Sequence, residues 1–172
     1  HILVDCSTCG EALKKIYPAF FDSNDPLTRD AQKIAKKTSD ILEFIDEHLD
    51  ELEFEVPVSQ KPVVTYHAPC HSKNSQWHFA EKLIEKLPFI DYRKTNDTEA
   101  CCGGGGTFFY EYPEISKKMI DKKIHNATDV GASYWLTDCP VCRMNISGNL
   151  DNEYRITVEH PLTLINASLK KT

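Results

Sequence analysis

The sequence has no long apolar run. No segment reaches the roughly 18 to 20 consecutive apolar residues that span a bilayer, and none has the basic start and apolar middle of a signal peptide. We therefore expect a soluble domain. The chain opens on His1 rather than on an initiator methionine, so we also expect it to be a fragment of a longer protein.

Basic residues are too few to form a nucleic-acid surface. The 20 lysines and arginines are outnumbered by 26 aspartates and glutamates, and the formal net charge is -6. The lysines are scattered rather than arranged in a stripe, which argues against nucleic-acid binding. Four glycines stand together at Gly103 to Gly106, but no Gly-Lys-Ser or Gly-Lys-Thr follows them. This absence argues against a loop that binds nucleotide phosphates.

The composition is otherwise that of one globular domain. A length of 172 residues is enough for one full core and too short for two comfortable ones. Hydrophobic residues make up 41% and charged residues 27% of the chain, which is ordinary for a globular protein.

Cysteine is the residue type that the sequence does contain in an informative pattern. The seven cysteines are Cys6 with Cys9, Cys70, Cys101 with Cys102, and Cys139 with Cys142. A secreted disulfide framework would more naturally hold an even number, in a smaller chain with a signal sequence. The pattern therefore favours metal ligation or redox chemistry inside the cell.

Predicted strands alternate with predicted helices along the whole chain. The patterns predict strands at 2–4, 63–66, 89–92, 133–137 and 154–158, and helices at 11–21, from Thr28 or Asp30 through Leu49, at 76–87, from 113 to Gly131, at 143–146 and at 161–169. Residues 57–62, which prolines flank, are the best candidate boundary within the chain. The alternation predicts an α/β, Rossmann-like layered domain with a mainly parallel sheet.

Three of the cysteines lie directly past predicted strands. Cys6, Cys70 and Cys139 each follow the carboxyl end of a strand, and open α/β sheets bind their ligands at that edge. Cysteine loops that are distant in sequence can therefore converge there.

The spacing of the cysteine pairs excludes two common sites. A thioredoxin-like pair would lie near the start of a small fold, whereas Cys139 and Cys142 lie close to the chain end. A zinc ribbon needs two such pairs roughly 15 to 20 residues apart, and most of the chain separates the two pairs here.

The five cysteines from Cys70 onward are one more than an ordinary site needs. Four thiolates complete a tetrahedral zinc site or a cubane iron-sulfur cluster. The fifth indicates either a cluster of unusual shape with an extra ligand or zinc with a spare thiol. Burial of the five as small apolar residues is a further alternative.

The order of these five cysteines resembles the cysteine-rich CCG domain. Cys70 is followed by Cys101-Cys102-Gly103 after 30 intervening residues, and the pair Cys139 and Cys142 begins 36 residues later. This domain occurs in one of the subunits of heterodisulfide reductase and in iron-sulfur subunits of glycolate oxidase, lactate utilisation and anaerobic glycerol-3-phosphate dehydrogenase systems. The segment 65–71 is similar to the family's Tyr-His-Asp-Pro-Cys-His sequence.

The resemblance covers nearly the whole chain and implies its organisation. Residues 1–172 would form a single CCG domain, in which 61–172 is the complete repeat and 1–25 resembles the tail of a preceding one. Residues 102–108, 112–116 and 131–132 resemble the lactate and glycolate oxidising branch. Cys139 is present as in heterodisulfide reductase-like proteins, so thiol chemistry of that kind stays open as a further alternative.

The resemblance also implies a site and a role. Cys70, Cys101, Cys102, Cys139 and Cys142 would bind a 4Fe-4S cluster of noncubane shape, or zinc as in some members. The neighbours of this site would be His67, His71, Gly103 and Gly104. Cys6 and Cys9 would be either free thiols or a partial site. No catalytic residue is expected, because the domain would pass electrons.

The same resemblance implies partners and a location. A flavoprotein subunit or domain would hold FAD, and a membrane-associated complex or the quinone pool would be a further partner. The location would be cytoplasmic, extending to the inner face of the membrane. Independently of the resemblance, Asp138 and Arg143 lie beside the last cysteine pair; modulation of the cluster charge is one alternative for them, and a surface salt bridge is the role that we expect.

Overall fold

Two parallel β-sheets form the framework of the computed structural model, which describes residues 1–70, 79–151 and 153–171. In the smaller sheet, β1 (Ile2–Val4) pairs with β2 (Thr38–Asp40). The larger sheet has the order β4-β3-β5-β6, and its strands are β3 (Val63–Tyr66), β4 (Asp91–Tyr92), β5 (Tyr134–Leu136) and β6 (Thr157–Glu159). Every pairing between these strands is parallel. This architecture confirms the predicted α/β fold with a mainly parallel sheet.

Helices connect and cover the strands. Helices α1 to α9 span Ser7–Glu11, Tyr17–Phe20, Thr28–Lys37, Ile41–Glu47, Phe79–Lys86, Phe108–Glu111, Pro113–Asp129, Pro140–Asn149 and Pro161–Ser168. A π-helical stretch, Ala12–Ile16, joins α1 to α2, and a 3₁₀ turn, Leu49–Glu51, follows α4. Within the described residues, none of these helices combines the length and the apolar character that crossing a membrane requires.

The prediction of one long helix from Thr28 or Asp30 through Leu49 is wrong. α3 ends at Lys37, and the next three residues form β2 instead. The apolar spacing is helical on both sides of β2, but β2 gains backbone hydrogen bonds from β1. Asp40 then begins α4 by accepting a hydrogen bond from the backbone N–H of Leu42 at 2.7 Å. A strand that is distant in sequence thus overrides the local helical pattern.

The other differences from the predicted elements are shifts of their ends. The helix predicted at 11–21 already begins at Ser7, because the Cys6 side chain accepts from the backbone N–H of Cys9 and caps it. The helix predicted at 143–146 extends over Pro140–Asn149, since proline is favourable in a first helical turn. Three strands are shorter or later than predicted, at Asp91–Tyr92, Tyr134–Leu136 and Thr157–Glu159. Positions 76–78 of the predicted helix 76–87 lie outside the described residues.

Two buried cores cover the two faces of the larger sheet. Leu136 belongs to a core with strand β3 and with helices α4, α5 and α9. Its neighbour Trp135 belongs to the other core, with α7 and α8, because successive side chains of a strand point to opposite faces. The second core also includes Cys102, Cys139 and Cys142. The cysteine region is therefore continuous with the packed interior.

Two parts of the chain repeat the same order of elements. A strand, an Asp-Cys-x-x-Cys turn and a helical connection lead to a second parallel strand and a further helix, both in residues 2–47 and in residues 134–168; the connection is α1, the π-helical stretch, α2 and α3 in the first part and the single helix α8 in the second. In each part a residue at the end of the second strand caps the next helix: Asp40 is the last residue of β2, and His160 directly follows β6. Asp40 accepts from Leu42, and Nδ1 of His160 accepts from the backbone N–H of Leu162 at 3.1 Å.

Candidate functional site

Five cysteines from three separate segments line one cavity of about 140 Å³. Cys70 follows β3, and Cys139 occupies the N-cap position of α8, three residues past the end of β5. Cys142 lies in the first turn of α8, and Cys101 and Cys102 lie in the loop before α6. Cys102, Cys139 and Cys142 are buried, whereas Cys70 and Cys101 are exposed. The parallel strands thus bring these side chains together at one sheet edge, and their role as ligands stays a prediction.

His67 lies at the floor of this cavity. Its side chain is 1% exposed. A ring nitrogen of His67 and the sulfurs of Cys102 and Cys142 all lie within 4.8 Å of one another. Neither ring nitrogen makes a hydrogen bond of normal geometry among the described residues, although the ring lies close enough to Cys102 to help lower the pKa of that thiol. Because a buried polar atom without a partner is costly, the ring suits a site that a bound group completes. The other predicted histidine, His71, lies outside the described residues.

The buried sulfurs of Cys102, Cys139 and Cys142 shift one another's pKa values. Interaction with the neighbouring Cys142 thiol, aided by His67 and the Gly104 amide, holds the pKa of Cys102 well below the usual value of 9.0. The same interaction lowers the pKa of Cys139 to about 6. The pKa of Cys142 is raised for the complementary reason. Burial raises the pKa of Cys70, so the site combines ready thiolates with protonated thiols.

Three side chains hold the double-cysteine loop by its backbone carbonyls. Asn145 Nδ2 donates to the Cys102 carbonyl at 2.8 Å, and Ser116 Oγ donates to the Gly103 carbonyl at 3.0 Å. Lys123 Nζ donates to the Asp97 carbonyl at 2.5 Å. Sequence reasoning missed these three residues. For one of them, Lys123, the sequence does contain a signal, because this lysine lies beside the apolar face of the helix predicted from 113 to Gly131.

The glycines of this loop serve two different needs. Gly103 has a φ of +81°, and a Cβ there would lie 2.9 Å from Ser116 Oγ. A Cβ at Gly104 would lie 2.9 Å from the Cβ of Asn145. These two glycines allow the loop to approach α7 and α8 closely. Gly105 and Gly106 instead line the cavity with open space where side chains would stand.

Backbone amides of the loop point toward sulfur. The N–H of Gly103 donates to the Cys101 sulfur at 3.3 Å, and the N–H of Gly104 contributes to the lowered pKa of Cys102. Hydrogen bonds of this kind stabilise thiolates and tune a bound metal group. The role of Gly103 and Gly104 beside a bound group stays a prediction.

The first cysteine pair lies beside the cavity but does not line it. Cys6 is buried and Cys9 is exposed, and the residues that line the five-cysteine cavity include only Thr8 from this turn. The Thr8 hydroxyl donates to the Cys139 sulfur and helps to lower its pKa. The Ser7 N–H donates to the Asp138 carbonyl at 3.4 Å. The two turns are therefore in contact, and sequence reasoning missed Thr8.

The expected surface salt bridge beside the last cysteine pair is wrong. Asp138 is 4% exposed and accepts a hydrogen bond from the Tyr66 hydroxyl at 2.6 Å. Burial raises the pKa of this carboxyl. Among the described residues, Arg143 makes no ion pair. Asp138 follows a central strand of the sheet, so its side chain is enclosed rather than exposed.

The donor set fits a thiophilic metal group. Five cysteine sulfurs and one imidazole surround the cavity, and thiolate-rich sites select iron-sulfur clusters or zinc over hard cations. The buried ring nitrogens of His67, which make no hydrogen bond of normal geometry among the described residues, and the sulfur-directed amides agree with this chemistry. Metal binding is therefore the chemistry that the arrangement supports.

Comparison with known proteins gives the same answer for the family. A family model described as a cysteine-rich domain, CCG, matches residues 64–147. This range begins in β3 and ends in α8, so it contains all five cysteines of the cavity.

Named relatives match almost the whole chain. Lactate utilization protein A of Geobacillus sp. is 30% identical over 172 residues, covering 97% of this chain and 70% of that protein. Lactate utilization protein A 1 of Bacillus cereus is 28% identical over 171 residues, again covering 97% and 70%. One subunit of the fumarate reductase (CoM/CoB) of Methanothermobacter marburgensis is 29% identical over 154 residues, which cover 88% of this chain and 28% of that protein. The chain therefore belongs to the family of cysteine-rich CCG-domain proteins that includes lactate utilization protein A.

Proposed function

We propose that this chain is an electron-transfer domain that holds one iron-sulfur cluster through Cys70, Cys101, Cys102, Cys139 and Cys142. The observation that carries the proposal is the convergence of these five side chains from three segments on one cavity. Such a cluster, when bound, accepts and releases single electrons. A 4Fe-4S cluster of noncubane shape would account for a ligand set of five rather than four.

The residues of this site have distinct roles in holding such a cluster. Cys102 and Cys139 supply thiolates near neutral pH, because interaction with the neighbouring Cys142 thiol lowers their pKa values. The amides of Gly103 and Gly104 stabilise negative charge on sulfur. His67 offers a buried ring nitrogen as a metal ligand in the cavity. Three side chains keep the loop in place by binding its carbonyls.

The names of the relatives support a place in an oxidoreductase system. Those names are lactate utilization protein A and a fumarate reductase. By analogy, this domain would carry electrons for a flavin-dependent oxidation of a 2-hydroxyacid of the lactate type. A flavoprotein partner would bind FAD and the substrate. The complex would lie in the cytoplasm or at the inner face of the membrane, with access to the quinone pool.

The organisation of the chain is part of the same proposal. Residues 61–172 would form one complete repeat with its own cluster, and residues 1–25 the tail of a preceding repeat. The repeated order of elements in residues 2–47 and 134–168 supports this division. Cys6 and Cys9 would then be ligands of a site that this chain contains in part.

Metal and sulfide analysis tests the proposal. Protein prepared without oxygen and reconstituted with iron and sulfide should be brown and contain about four irons and four sulfides per chain. Serine variants of Cys102 and Cys139 should lose most of this iron, whereas C6S and C9S should keep it. A colourless wild-type protein without iron after reconstitution would contradict the proposal, as would equal iron in all four variants.

A zinc-binding interaction module is the second candidate. The close approach of His67, Cys102 and Cys142, all buried, favours it, because three such donors and one more cysteine complete a tetrahedral zinc site. This candidate predicts one zinc and little iron after anaerobic reconstitution. It also predicts that H67A loses zinc affinity to the same degree as C142S.

A further inference from the structure

Lys123 is a buried cation on the inner face of α7. It is 2% exposed, although lysine is almost never fully buried unless it is paired. Its Nζ donates to the Asp97 carbonyl at 2.5 Å and lies 3.6 Å from Oδ2 of the Asp97 carboxylate. That carboxylate oxygen has no hydrogen-bond partner among the described residues. The ammonium group is therefore held by one strong bond and one looser ion pair.

Lys123 lies on the side of α7 that faces the double cysteine. Its neighbours Ile120 and Ile124 are in the same buried core as Cys102. Ser116, two helical turns earlier on the same buried side, donates to the Gly103 carbonyl. Lys123 and Ser116 thus bind backbone carbonyls on the two sides of the pair Cys101 and Cys102.

Lys123 is buried on the face of α7 that packs against Cys102, so its charge acts on that pair. Burial lowers the pKa of Lys123, and the negative charges of Asp97, Cys102 and Cys101 oppose this effect. Interactions between charges are strong at such a site, since little water screens them. A positive charge beside a metal group favours its more negative, reduced state. No other lysine or arginine is buried among the described residues.

We propose that Lys123 positions the double-cysteine loop through the Asp97 carbonyl and raises the reduction potential of the cluster by its positive charge. This inference rests on the proposed function for its second half only. The first half concerns the protein without metal. Lys123 is a positioning residue, because the bond it makes is to the loop and not to a reacting atom.

Three variants separate the charge from the packing. K123M removes the charge and the donor with little change in volume, and K123R keeps both. D97N keeps the backbone carbonyl that Lys123 binds but removes the opposing negative charge. K117M is the matched control, since Lys117 is an exposed lysine on the same helix that pairs with Asp121.

The midpoint potential of the reconstituted protein is the first measurement. K123M should lower it by an amount equal to about a tenfold change in the reduced-to-oxidised ratio, or about 59 mV for one electron. D97N should raise the potential, and K123R and K117M should leave it near the wild-type value. An unchanged potential in K123M, or shifts of the same sign in K123M and D97N, would overturn the charge effect. If K123M does not fold, D97N still decides the sign.

Hydrogen exchange in the metal-free protein is the second measurement. The loop 97–104 should exchange faster in K123M than in wild-type protein, with K123R restoring protection and K117M having no effect. Equal protection in K123M and wild type would overturn the positioning role. A wild-type protein that takes up no iron would refute the proposed function and the charge effect together, and the exchange data would still decide the positioning role.

Discussion

The Asn145 side chain donates a hydrogen bond to the carbonyl of Cys102 at 2.8 Å, and so joins the helix of one cysteine pair to the loop of the other. Both groups are buried, and Asn145 is 8% exposed. Removal of the donor leaves a buried carbonyl without a partner. Such a loss costs about 1–3 kcal/mol. The bond therefore links the stability of the domain to the geometry of the site.

We predict that N145A lowers the free energy of unfolding by about 1–3 kcal/mol. Urea unfolding of the metal-free protein measures this change. N145D should be at least as destabilising, because an ionised carboxylate cannot donate to the Cys102 carbonyl.

N149A is the matched control for this prediction. Asn149 lies one turn later on α8, and within the described part of the chain it donates only to the carbonyl and side chain of Asn145 in the same helix. We expect N149A to lose less than half as much stability as N145A. Equal losses of unfolding free energy in N145A and N149A would contradict the larger contribution that we assign to the hydrogen bond between Asn145 and the Cys102 carbonyl.

The glycines of the loop should differ sharply in their tolerance of alanine. G103A places a Cβ 2.9 Å from Ser116 Oγ and 3.1 Å from its Cα, at a φ of +81°. We expect it to lower the free energy of unfolding by about 2 kcal/mol or more, through left-handed strain and the clash together. Thermal and urea unfolding of the metal-free protein would measure the loss.

G105A is the control for the loop prediction. Nothing lies within 4 Å of a Cβ at Gly105, and its φ is not positive. Its stability should stay within about 0.5 kcal/mol of the wild-type value. Destabilisation of G105A as large as that of G103A would contradict the close approach of Gly103 to α7.

The general position of the site could be predicted because parallel strands have a fixed geometry. Cys70 and Cys139 follow neighbouring strands, and the carboxyl ends of such strands meet at one edge. The short runs 2–4 and 63–66 were found directly, because apolar and β-branched residues in strands give a local signal.

The contacts that hold the site could not be predicted in the same way. Asn145, Ser116 and Lys123 each bind a backbone carbonyl on a different segment. Such bonds depend on how helices pack on the sheet, and hydrophobic periodicity contains no information about them. Strand β2 was missed for a related reason, since its partner β1 lies more than 30 residues earlier in the sequence.

Metal uptake should depend on pH in a defined direction. The pKa values of Cys142 and Cys70 are raised, by hydrogen bonding to Cys102 and by burial respectively. These thiols must lose protons before they bind a metal ion. The apparent affinity for Co²⁺, measured by its charge-transfer absorption, should therefore rise from pH 6 to pH 8.

Serine variants identify the protons that are released. C142S and C70S should bind Co²⁺ more weakly and with a shallower dependence on pH, because each lacks one thiol that must ionise. C9S should behave as wild type, since Cys9 is exposed and outside the cavity. An affinity that does not change between pH 6 and pH 8 would contradict the assignment of protonated thiols.

The buried carboxyl of Asp40 should make the stability of the domain depend on pH. Burial, with a contribution from Asp138, raises the pKa of Asp40 from 3.8 to about 6. The folded state therefore binds more protons than the unfolded state between pH 3.8 and pH 6, so stability is lost as the pH rises through this window.

D40N is neutral and still accepts from Leu42, so we expect it to become more stable than wild type by about 2–3 kcal/mol above pH 6, with little difference near pH 4. Urea unfolding at pH 4 and pH 7 measures this difference. If the difference in stability between D40N and wild type is the same at both pH values, the raised pKa of Asp40 is contradicted. D40A also lacks the side chain that caps α4, so its free energy of unfolding should be about 1 kcal/mol lower than that of D40N at either pH.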